Sequence, residues 1–221
     1  MQKNLKYRVE AFTPVVFLGY TPLIIVAHAG FEANNAKELV AYAQTHPGKL
    51  GWGSVGYGSS VHIGLALFQS ATRIEVLHVP YKGSAQALTE ILGGQIQVMH
   101  TSVASAESHI KSRRIKVLAT AGPKRQAVIP DVQTLAEQGI QGAESTNWFG
   151  AVVPAATPGS RVAILNRHLN AALENSDVRQ RLENLGLIVA GGGSNEFGVY
   201  LKNEAERVRH LIRQGGLALQ D

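Results

Sequence analysis

The chain has 221 residues, a formal net charge of +5, 45% hydrophobic residues and no cysteine. This length and composition predict a soluble globular protein with one good core or two small ones. No apolar run reaches the roughly 18 to 20 residues of a membrane-spanning helix, no secretory signal is visible, and the lack of cysteine excludes disulfides and thiolate chemistry. The basic residues are dispersed and carry no interleaved aromatics, so no nucleic-acid partner is expected.

The first half of the chain alternates between strands and helices. Two apolar runs on either side of Thr21-Pro22 are interpreted as one long, interrupted strand. Asn34 and Asn35 then cap a helix, a strand follows over 50–55, and a second helix begins at Ser60. The next strands and helices are expected, in alternating order, at 75–79, 84–93, 95–99, 104–112 and 116–121. Such units predict parallel strands with right-handed crossovers, whose carboxyl ends bind ligands.

The second half, after Gly122, is rich in helices and has few strands of its own. A proline-bounded linker over 123–130 precedes a predicted short helix from Asp131 to Gln138. The remaining elements are expected to be a strand at 148–153 and helices at 158–174, 177–185 and 194–214. This half is interpreted as material that packs on a sheet built partly elsewhere.

A glycine turn joins the strand at 50–55 to the helix that follows it. Gly56 and Gly58 precede Ser59-Ser60, so the turn leads into a helix N-terminus with a hydroxyl cap. The free amides and partial positive charge there can hold a carboxylate or a phosphate. The residue pattern of the turn matches neither a P-loop nor a dinucleotide-binding fingerprint. The fingerprint requires a glycine at the position of Val61. The alternative is a tight turn that serves packing alone.

The same turn is also a candidate catalytic site, and two strand ends are candidate metal sites. A Ser59 or Ser60 nucleophile would need a base, but His62 at that spacing points to a different face, and a Gly-x-Ser-x-Gly elbow is absent. An α/β hydrolase or transferase that uses the turn as an oxyanion site remains the alternative function. His78 and His100 lie at strand ends without cysteine or acidic partners at metal spacing, so no metal or cofactor is expected.

Several motifs in a fixed order resemble the Bug family, the extracytoplasmic solute receptors of tripartite tricarboxylate transporters. The motifs are the turn at 56–62, Tyr81-Lys82-Gly83-Ser84, Leu92-Gly93-Gly94-Gln95-Ile96, Ile129-Pro130-Asp131-Val132-x-Thr134, Trp148-Phe149-Gly150 and Pro154-x-x-Thr157-Pro158. The resemblance implies an α/β, type II periplasmic-binding-protein-like fold of two lobes joined by crossing strands. It also implies capture of a small mono-, di- or tricarboxylate, with no catalysis and no cofactor.

The resemblance divides the chain into three ranges. Residues 1–22 would be a remnant of lobe 1 with the crossing strand, residues 23–121 lobe 2 with the ligand site, and residues 122–221 the return to lobe 1. The first lobe would be incomplete, without its usual opening section. The implied location is the periplasm, and the implied partners are a small carboxylate and membrane transporter subunits, with self-association through the incomplete lobe.

The resemblance also assigns the ligand-binding residues. The amides and hydroxyls that would bind the carboxylate belong to the glycine turn, with Tyr81 and Thr101 in the two neighbouring turns. The full set is Ser54, Gly56, Gly58, Ser59, Ser60, Tyr81 and Thr101. Where the family often has Asp-Asn, this chain has Thr101-Ser102. The absence of that aspartate favours a plain carboxylate over an amino acid.

Overall fold

The structure is a computed structural model that describes residues 8–215 and 217. The parts of the expected terminal ranges at 1–7, 216 and 218–221 lie outside the described residues. The described chain divides into two compact units. Unit 1 holds residues 8–21 and 148–213, and unit 2 holds residues 22–147 together with 214, 215 and 217.

Unit 2 is a five-stranded sheet with helices on both faces. Its strands are β2 (Ile24–His28), β3 (Gly51–Ser54), β4 (Leu77–Pro80), β5 (Val98–Thr101) and β6 (Ile115–Thr120), in the spatial order β4-β3-β5-β2-β6. Its helices are α1 (Ala36–Thr45), α2 (Ser60–Thr72), α3 (Ser84–Leu92) and α4 (Val103–Lys111). The alternation of strands and helices expected from the sequence is confirmed, and so is the α/β class.

Strand direction differs from the all-parallel expectation at one strand. β3 is parallel to both β4 and β5, whereas β2 is antiparallel to β5 and β6. β2 enters this sheet directly from β1, which belongs to the other sheet, so no crossover within this sheet sets its direction. The carboxyl ends of β3, β4 and β5 therefore share one edge of the sheet, and the carboxyl end of β2 lies at the other.

The interrupted strand expected around Thr21-Pro22 is two strands in different sheets. The first strand, β1, spans Phe12–Pro22 and belongs to a three-stranded sheet, while β2 begins at Ile24. Between them, the Leu23 N–H donates to the Ser145 carbonyl and the Leu23 carbonyl accepts from Ala121 N–H. Leu23 is thus bonded to neighbouring chain segments, and the strand ends at the proline.

The sheet of unit 2 separates two apolar clusters. Trp52, Phe68 and Leu65 lie in the cluster that faces α1 and α2. Ile91 and Met99 lie in the cluster that faces α3 and α4. Because side chains alternate along a strand, each face of the central strands supplies one cluster, and both faces are closed to water.

The stretch 122–147 packs in unit 2, which differs from the expected return to lobe 1 over 122–221. The helix expected at Asp131–Gln138 is also absent, because the segment pairs with the end of β6. Thr134 forms a parallel bridge with Thr120, and the amide of Thr120 donates to the Gln133 carbonyl. Leu135 is fully buried in the core on the α1 and α2 side, so this stretch closes the sheet edge.

In the part of the chain that the structure describes, unit 1 contains a short 3-10 helix (Val9–Ala11), three strands and three α-helices. The strands are β1, β7 (Thr146–Pro154) and β8 (Ile188–Val189), in the order β7-β1-β8, and the helices are α5 (Gly159–Glu174), α6 (Ser176–Asn184) and α7 (Ser194–Arg213). β8 is too short for a sequence signal and is held by antiparallel pairing with Gly19 and Tyr20. Among the helices of the described chain, none combines the length and the hydrophobicity of a membrane-spanning segment.

Candidate functional site

The turn between β3 and α2 depends on glycine at two positions. Gly56 has φ of 108° and Gly58 has φ of 73°, a backbone region that side chains disfavour. Ser59 then takes extended geometry and caps α2, its Oγ accepting from His62 N–H at 3.2 Å and donating to the Gly56 carbonyl at 2.7 Å. Both the expected turn and its hydroxyl cap are therefore present.

Two amides at the start of α2 remain available to a ligand. The first four N–H groups of a helix lack partners within it. Two of them are satisfied here, because the Ser59 N–H donates to the Gly56 carbonyl at 3.4 Å and the His62 N–H donates to Ser59 Oγ. The amides of Ser60 and Val61 have no acceptor among the described residues. Two adjacent amides match the two oxygens of a carboxylate.

The three helices after β3, β4 and β5 begin at the same edge of the sheet, because these strands are parallel neighbours. α2 starts at Ser60, α3 at Ser84 and α4 at Val103. Each N-terminus carries partial positive charge, so the edge favours an anion although it requires no charged side chain. The turns at 54–60, 80–83 and 100–102, which follow β3, β4 and β5, share this edge.

Ser54 is fully buried at the end of β3. Its Oγ accepts from Gly56 N–H at 3.2 Å and lies 2.6 Å from Nε2 of His78. The hydroxyl is already bonded inside the protein, so its direct contribution is to the shape of the turn. Its assignment as a ligand contact stays a prediction.

Tyr81 and Thr101 follow the two neighbouring strands. The Tyr81 amide donates to the Ser54 carbonyl at 2.9 Å, and burial, followed by the charge of Glu90, raises the pKa of the Tyr81 hydroxyl, which stays protonated and able to donate. Thr101 is buried, and its Oγ1 has no hydrogen-bond partner among the described residues. Because side chains alternate along a strand, Thr101 lies on the same face of the sheet as Met99. Ser54 lies on the opposite face, together with Trp52.

Ser102, which stands beside Thr101, caps α4 with its side chain. Its Oγ accepts from Ser105 N–H at 3.2 Å and bonds the Ser105 hydroxyl at 2.9 Å. The Thr101-Ser102 pair therefore offers hydroxyl groups at this edge where a carboxylate would be expected from the family pattern. An uncharged pair leaves the anion-favouring field of the three helix ends uncompensated.

Burial lowers the pKa of the histidines near the site. Burial, followed by the neighbouring His78, lowers the pKa of His62 to about 4, and burial also lowers the pKa of His78. The pKa of His100 is lowered to about 3 by complete burial. His62 is buried, and its Nδ1 accepts from Gly58 N–H. In the described part of the chain, no group of three or more His, Cys, Asp or Glu is placed to hold a metal ion.

The contact of His78 with the turn was not expected from the sequence. His78 lies in β4 and reaches Ser54 because β3 and β4 pair in register, with Trp52 opposite His78 and Ser54 opposite Pro80. Register between two parallel strands carries no local sequence signal. Only the alternation, which places His78 on the face of Trp52, could have indicated the contact.

Comparisons with known proteins identify the family of the chain. A family model described as tripartite tricarboxylate transporter family receptor, TctC, matches residues 1–217. A UPF0065 protein of the tcbD-tcbE intergenic region of Pseudomonas sp. strain P51 is 35% identical over 91% of this chain, which spans 60% of that protein's length. BugT of Bordetella pertussis is 27% identical over 100% of this chain and 68% of its own length.

Solved structures give the same family and the same fold. The structure of Rpa4515 from R. palustris with adipate has a TM-score of 0.88 and 26% identity, covering 100% of this chain and 74% of that one. MatC of Rhodopseudomonas palustris with bound malate has a TM-score of 0.83 and 29% identity, covering 95% and 72%. These descriptions are of receptors and binding proteins rather than enzymes. With its glycine turn and its near full-length match to the family model, the chain belongs to the tripartite tricarboxylate transporter receptor family, TctC.

Proposed function

We propose that the chain is a solute-binding protein that captures a small carboxylate and delivers it to a tripartite tricarboxylate-type membrane transporter. One observation carries the proposal: the open amides of Ser60 and Val61 lie at an edge where three helices begin. Amides and hydroxyls bind a carboxylate through hydrogen bonds to the charged oxygens, which are stronger than bonds between neutral groups.

The ligand contacts in this proposal follow the turn and its neighbours. The carboxylate accepts from the amides of the α2 N-terminus, and the hydroxyls of Tyr81 and Thr101 are donors to the rest of the ligand. The proposed residues are Ser54, Gly56, Gly58, Ser59, Ser60, Tyr81 and Thr101. Two relatives hold the dicarboxylates adipate and malate, which supports a dicarboxylate.

The partners and location are part of the same proposal. Membership of a receptor family supports an extracytoplasmic, periplasmic protein that hands its solute to membrane transporter subunits. Self-association through apolar surface on unit 1 belongs here too, since Leu185 and Val199 are 67% and 61% exposed.

A thermal-shift series tests the binding function. Adipate, malate, succinate and citrate are titrated against the purified chain, with ATP and NAD as controls. A ligand at 100 times its dissociation constant adds about 2.7 kcal/mol to the free energy of unfolding. We expect a dicarboxylate to raise the unfolding temperature and the nucleotides to leave it unchanged. An unfolding temperature that no carboxylate raises contradicts the proposal.

Two cap variants separate the site from general stability. Ser59→Ala and Asn35→Ala each remove an N-cap that accepts from the amide three residues later, at a cost of about 1 kcal/mol. Asn35 caps α1, which follows β2 and so begins at the opposite edge of the sheet. We expect similar loss of stability from both and weaker carboxylate binding from Ser59→Ala alone. Equal affinities in the two variants would place the site elsewhere.

A competition titration tests the ligand class. Succinate and aspartate differ by one amino group, which an acidic side chain would pair with. Since Thr101-Ser102 offers hydroxyls alone, we expect succinate to bind more tightly than aspartate. Tighter binding of aspartate would show that the chain recognises an amino acid.

A further inference from the structure

Two histidine rings stack beside the binding turn. The imidazoles of His62 and His78 lie with their centroids 4.3 Å apart and their planes at 11°. The ring of Tyr57, within the turn, meets both of them edge-on, at 5.4 Å from His62 and 5.0 Å from His78. This histidine pair, His62 and His78, joins α2 to β4 beneath the turn.

Each ring of the histidine pair bonds one end of the turn. The Gly58 N–H donates to Nδ1 of His62 at 3.1 Å. Nε2 of His78 lies 2.6 Å from Oγ of Ser54, which in turn accepts from Gly56 N–H. The turn is therefore held at its strand end by one imidazole and at its helix end by the other.

We propose that the histidine pair consists of positioning residues for the carboxylate site. By bonding Gly58 and Ser54, the pair fixes the turn in the shape that leaves the amides of Ser60 and Val61 open to the ligand. The inference rests on the proposed function, because the open amides matter only if an anion binds them. It gives a role to two side chains to which the proposed function assigns no ligand contact.

The geometry defines the protonation state that His62 must have. A backbone N–H can only donate, so Nδ1 of His62 is unprotonated and its ring proton is on Nε2. Protonation at Nδ1 would set two N–H groups against each other and release Gly58. Among the described residues, the titratable groups against His62 are His78 from β4 and Tyr57 from the turn. The burial that lowers the pKa of both histidines keeps the pair neutral near pH 7.

Two substitutions at His62 test the positioning role. The side-chain oxygen of His62→Asn reaches the place of Nδ1 and accepts from Gly58 N–H, whereas His62→Leu has no acceptor. By calorimetry at pH 7.5 we expect His62→Leu to bind adipate about tenfold more weakly, as for the loss of one hydrogen bond, and His62→Asn to recover most of the affinity. Wild-type affinity in His62→Leu overturns the proposal.

His46→Leu is the matched control. His46 also stacks on an aromatic ring, that of Tyr42 at 4.4 Å, and its Nδ1 lies 3.1 Å from a backbone carbonyl. It stands at the end of α1 in the same unit, outside the turn. We expect this variant to bind adipate as the wild type does. An equal loss of affinity in His46→Leu and His62→Leu would attribute the effect to stability and overturn the positioning role.

A pH profile distinguishes positioning from a merely structural contribution. As pH falls below 5, His62 becomes protonated and wild-type affinity should fall, while His62→Asn keeps its acceptor. Adipate also becomes protonated in this range, so the ratio of the two dissociation constants is the quantity to follow. We expect the ratio of the wild-type to the His62→Asn constant to rise toward pH 4. A constant ratio overturns the role of His62 protonation.

A measurement without ligand separates this inference from the proposed function. Nitrogen-15 NMR reports the protonation of His62 Nδ1, and hydrogen exchange reports the Gly58 amide. We expect an unprotonated Nδ1 at pH 7 and faster Gly58 exchange in His62→Leu than in the wild type. If no carboxylate binds but both of these results are obtained, the proposed function is wrong. The role of the histidine pair in fixing the turn is then still supported. Equal Gly58 exchange in both proteins overturns the histidine pair itself.

Discussion

Gly58 allows a strict test of the turn at the scale of one residue. Its φ of 73° is almost the same as the 74° of Gly94, which lies after α3 in open surroundings. Alanine at either position pays the left-handed penalty of about 1 to 2 kcal/mol. We expect Gly58→Ala and Gly94→Ala to lose similar stability in urea unfolding, while only Gly58→Ala weakens adipate binding in calorimetry. Loss of binding in Gly94→Ala would mean that the calorimetry reports stability.

Acid should destabilise the fold through its buried histidines. The unfolded chain protonates histidine near pH 6.5, whereas burial lowers the pKa of His100 to about 3 and that of His62 to about 4. Stability is therefore fully present above pH 6.5 and is lost as pH falls from 6.5 toward these values. Each histidine that stays neutral in the native state adds a slope of about 1.4 kcal/mol per pH unit.

His100→Phe isolates one of these slopes. His100 lies against the rings of Trp52 and Phe68, and neither of its nitrogens has a hydrogen-bond partner among the described residues, so an apolar ring suits the site. We expect the variant to gain stability relative to the wild type by about 1.4 kcal/mol for each pH unit below 6.5. Urea unfolding from pH 7.5 to 4.5 measures this difference. A difference that does not vary with pH would mean that His100 takes up its proton in the native state.

The expected site residues differ in how far the sequence could predict their surroundings. The glycines and Ser59 are local: a turn that needs positive φ and a helix that needs a cap leave their mark in adjacent positions. The engagement of Ser54 by His78 is not local, because it depends on the pairing of β3 with β4. The turn could therefore be predicted from residues adjacent in sequence, whereas the contacts beneath it could be seen only in the folded structure.

At the scale of elements, Gly150 lets β7 approach α7 closely. A Cβ at Gly150 would overlap the ring of Phe197, which is almost fully buried. We expect Gly150→Ala to cost about 1 to 3 kcal/mol by overpacking, and the added change Phe197→Leu to recover part of this loss. Gly159→Ala, with open space around its Cβ, is the control. Additive effects of the two substitutions in urea unfolding would contradict direct contact.

Helices whose first residue is marked by a capping residue or a proline were predictable from the sequence. Segments whose structure depends on pairing with a distant strand were not. Asn35 caps α1 as expected, and α5 begins directly after Pro158. The segment 131–138 has a helix-like pattern, but Gln133 and Leu135 bond Thr120 at the end of β6, and the carboxylate of Glu137 accepts from Thr134 N–H and from Arg125. Tertiary hydrogen bonds outweighed a weak local preference there.

At the scale of the molecule, the boundary at residue 122 that the resemblance implies differs from the division of the chain in the structure. The proline-bounded linker after Gly122 suggested that the chain leaves the ligand-binding unit, yet unit 2 continues to residue 147. Ile140 and Ala143 pack in the same core as β2 and β3, and the Ser145 amide bonds the Ala121 carbonyl. A linker-like composition marks exposed chain, and exposed chain can still return to the core that it left.

Apolar surface on unit 1 leads to a prediction about association. Leu185 ends α6, is 67% exposed and lies at a cavity of about 270 Å³ lined almost wholly by apolar side chains. Exposed apolar patches of this kind favour association, so we expect the wild-type chain to self-associate. Leu185→Lys should shift it toward monomer, because a lysine at a closed apolar contact would have to shed its water.

Val128 supplies the matched control for this measurement. It is 66% exposed and belongs to unit 2, so Val128→Lys adds the same charge at the same exposure on the other unit. Sedimentation equilibrium over a tenfold range of concentration should show a weaker association constant for Leu185→Lys and an unchanged one for Val128→Lys. If charge repulsion alone governed association, both lysines would weaken it equally. A wild-type chain that sediments as a monomer at every concentration would show that this apolar surface tolerates water without a partner.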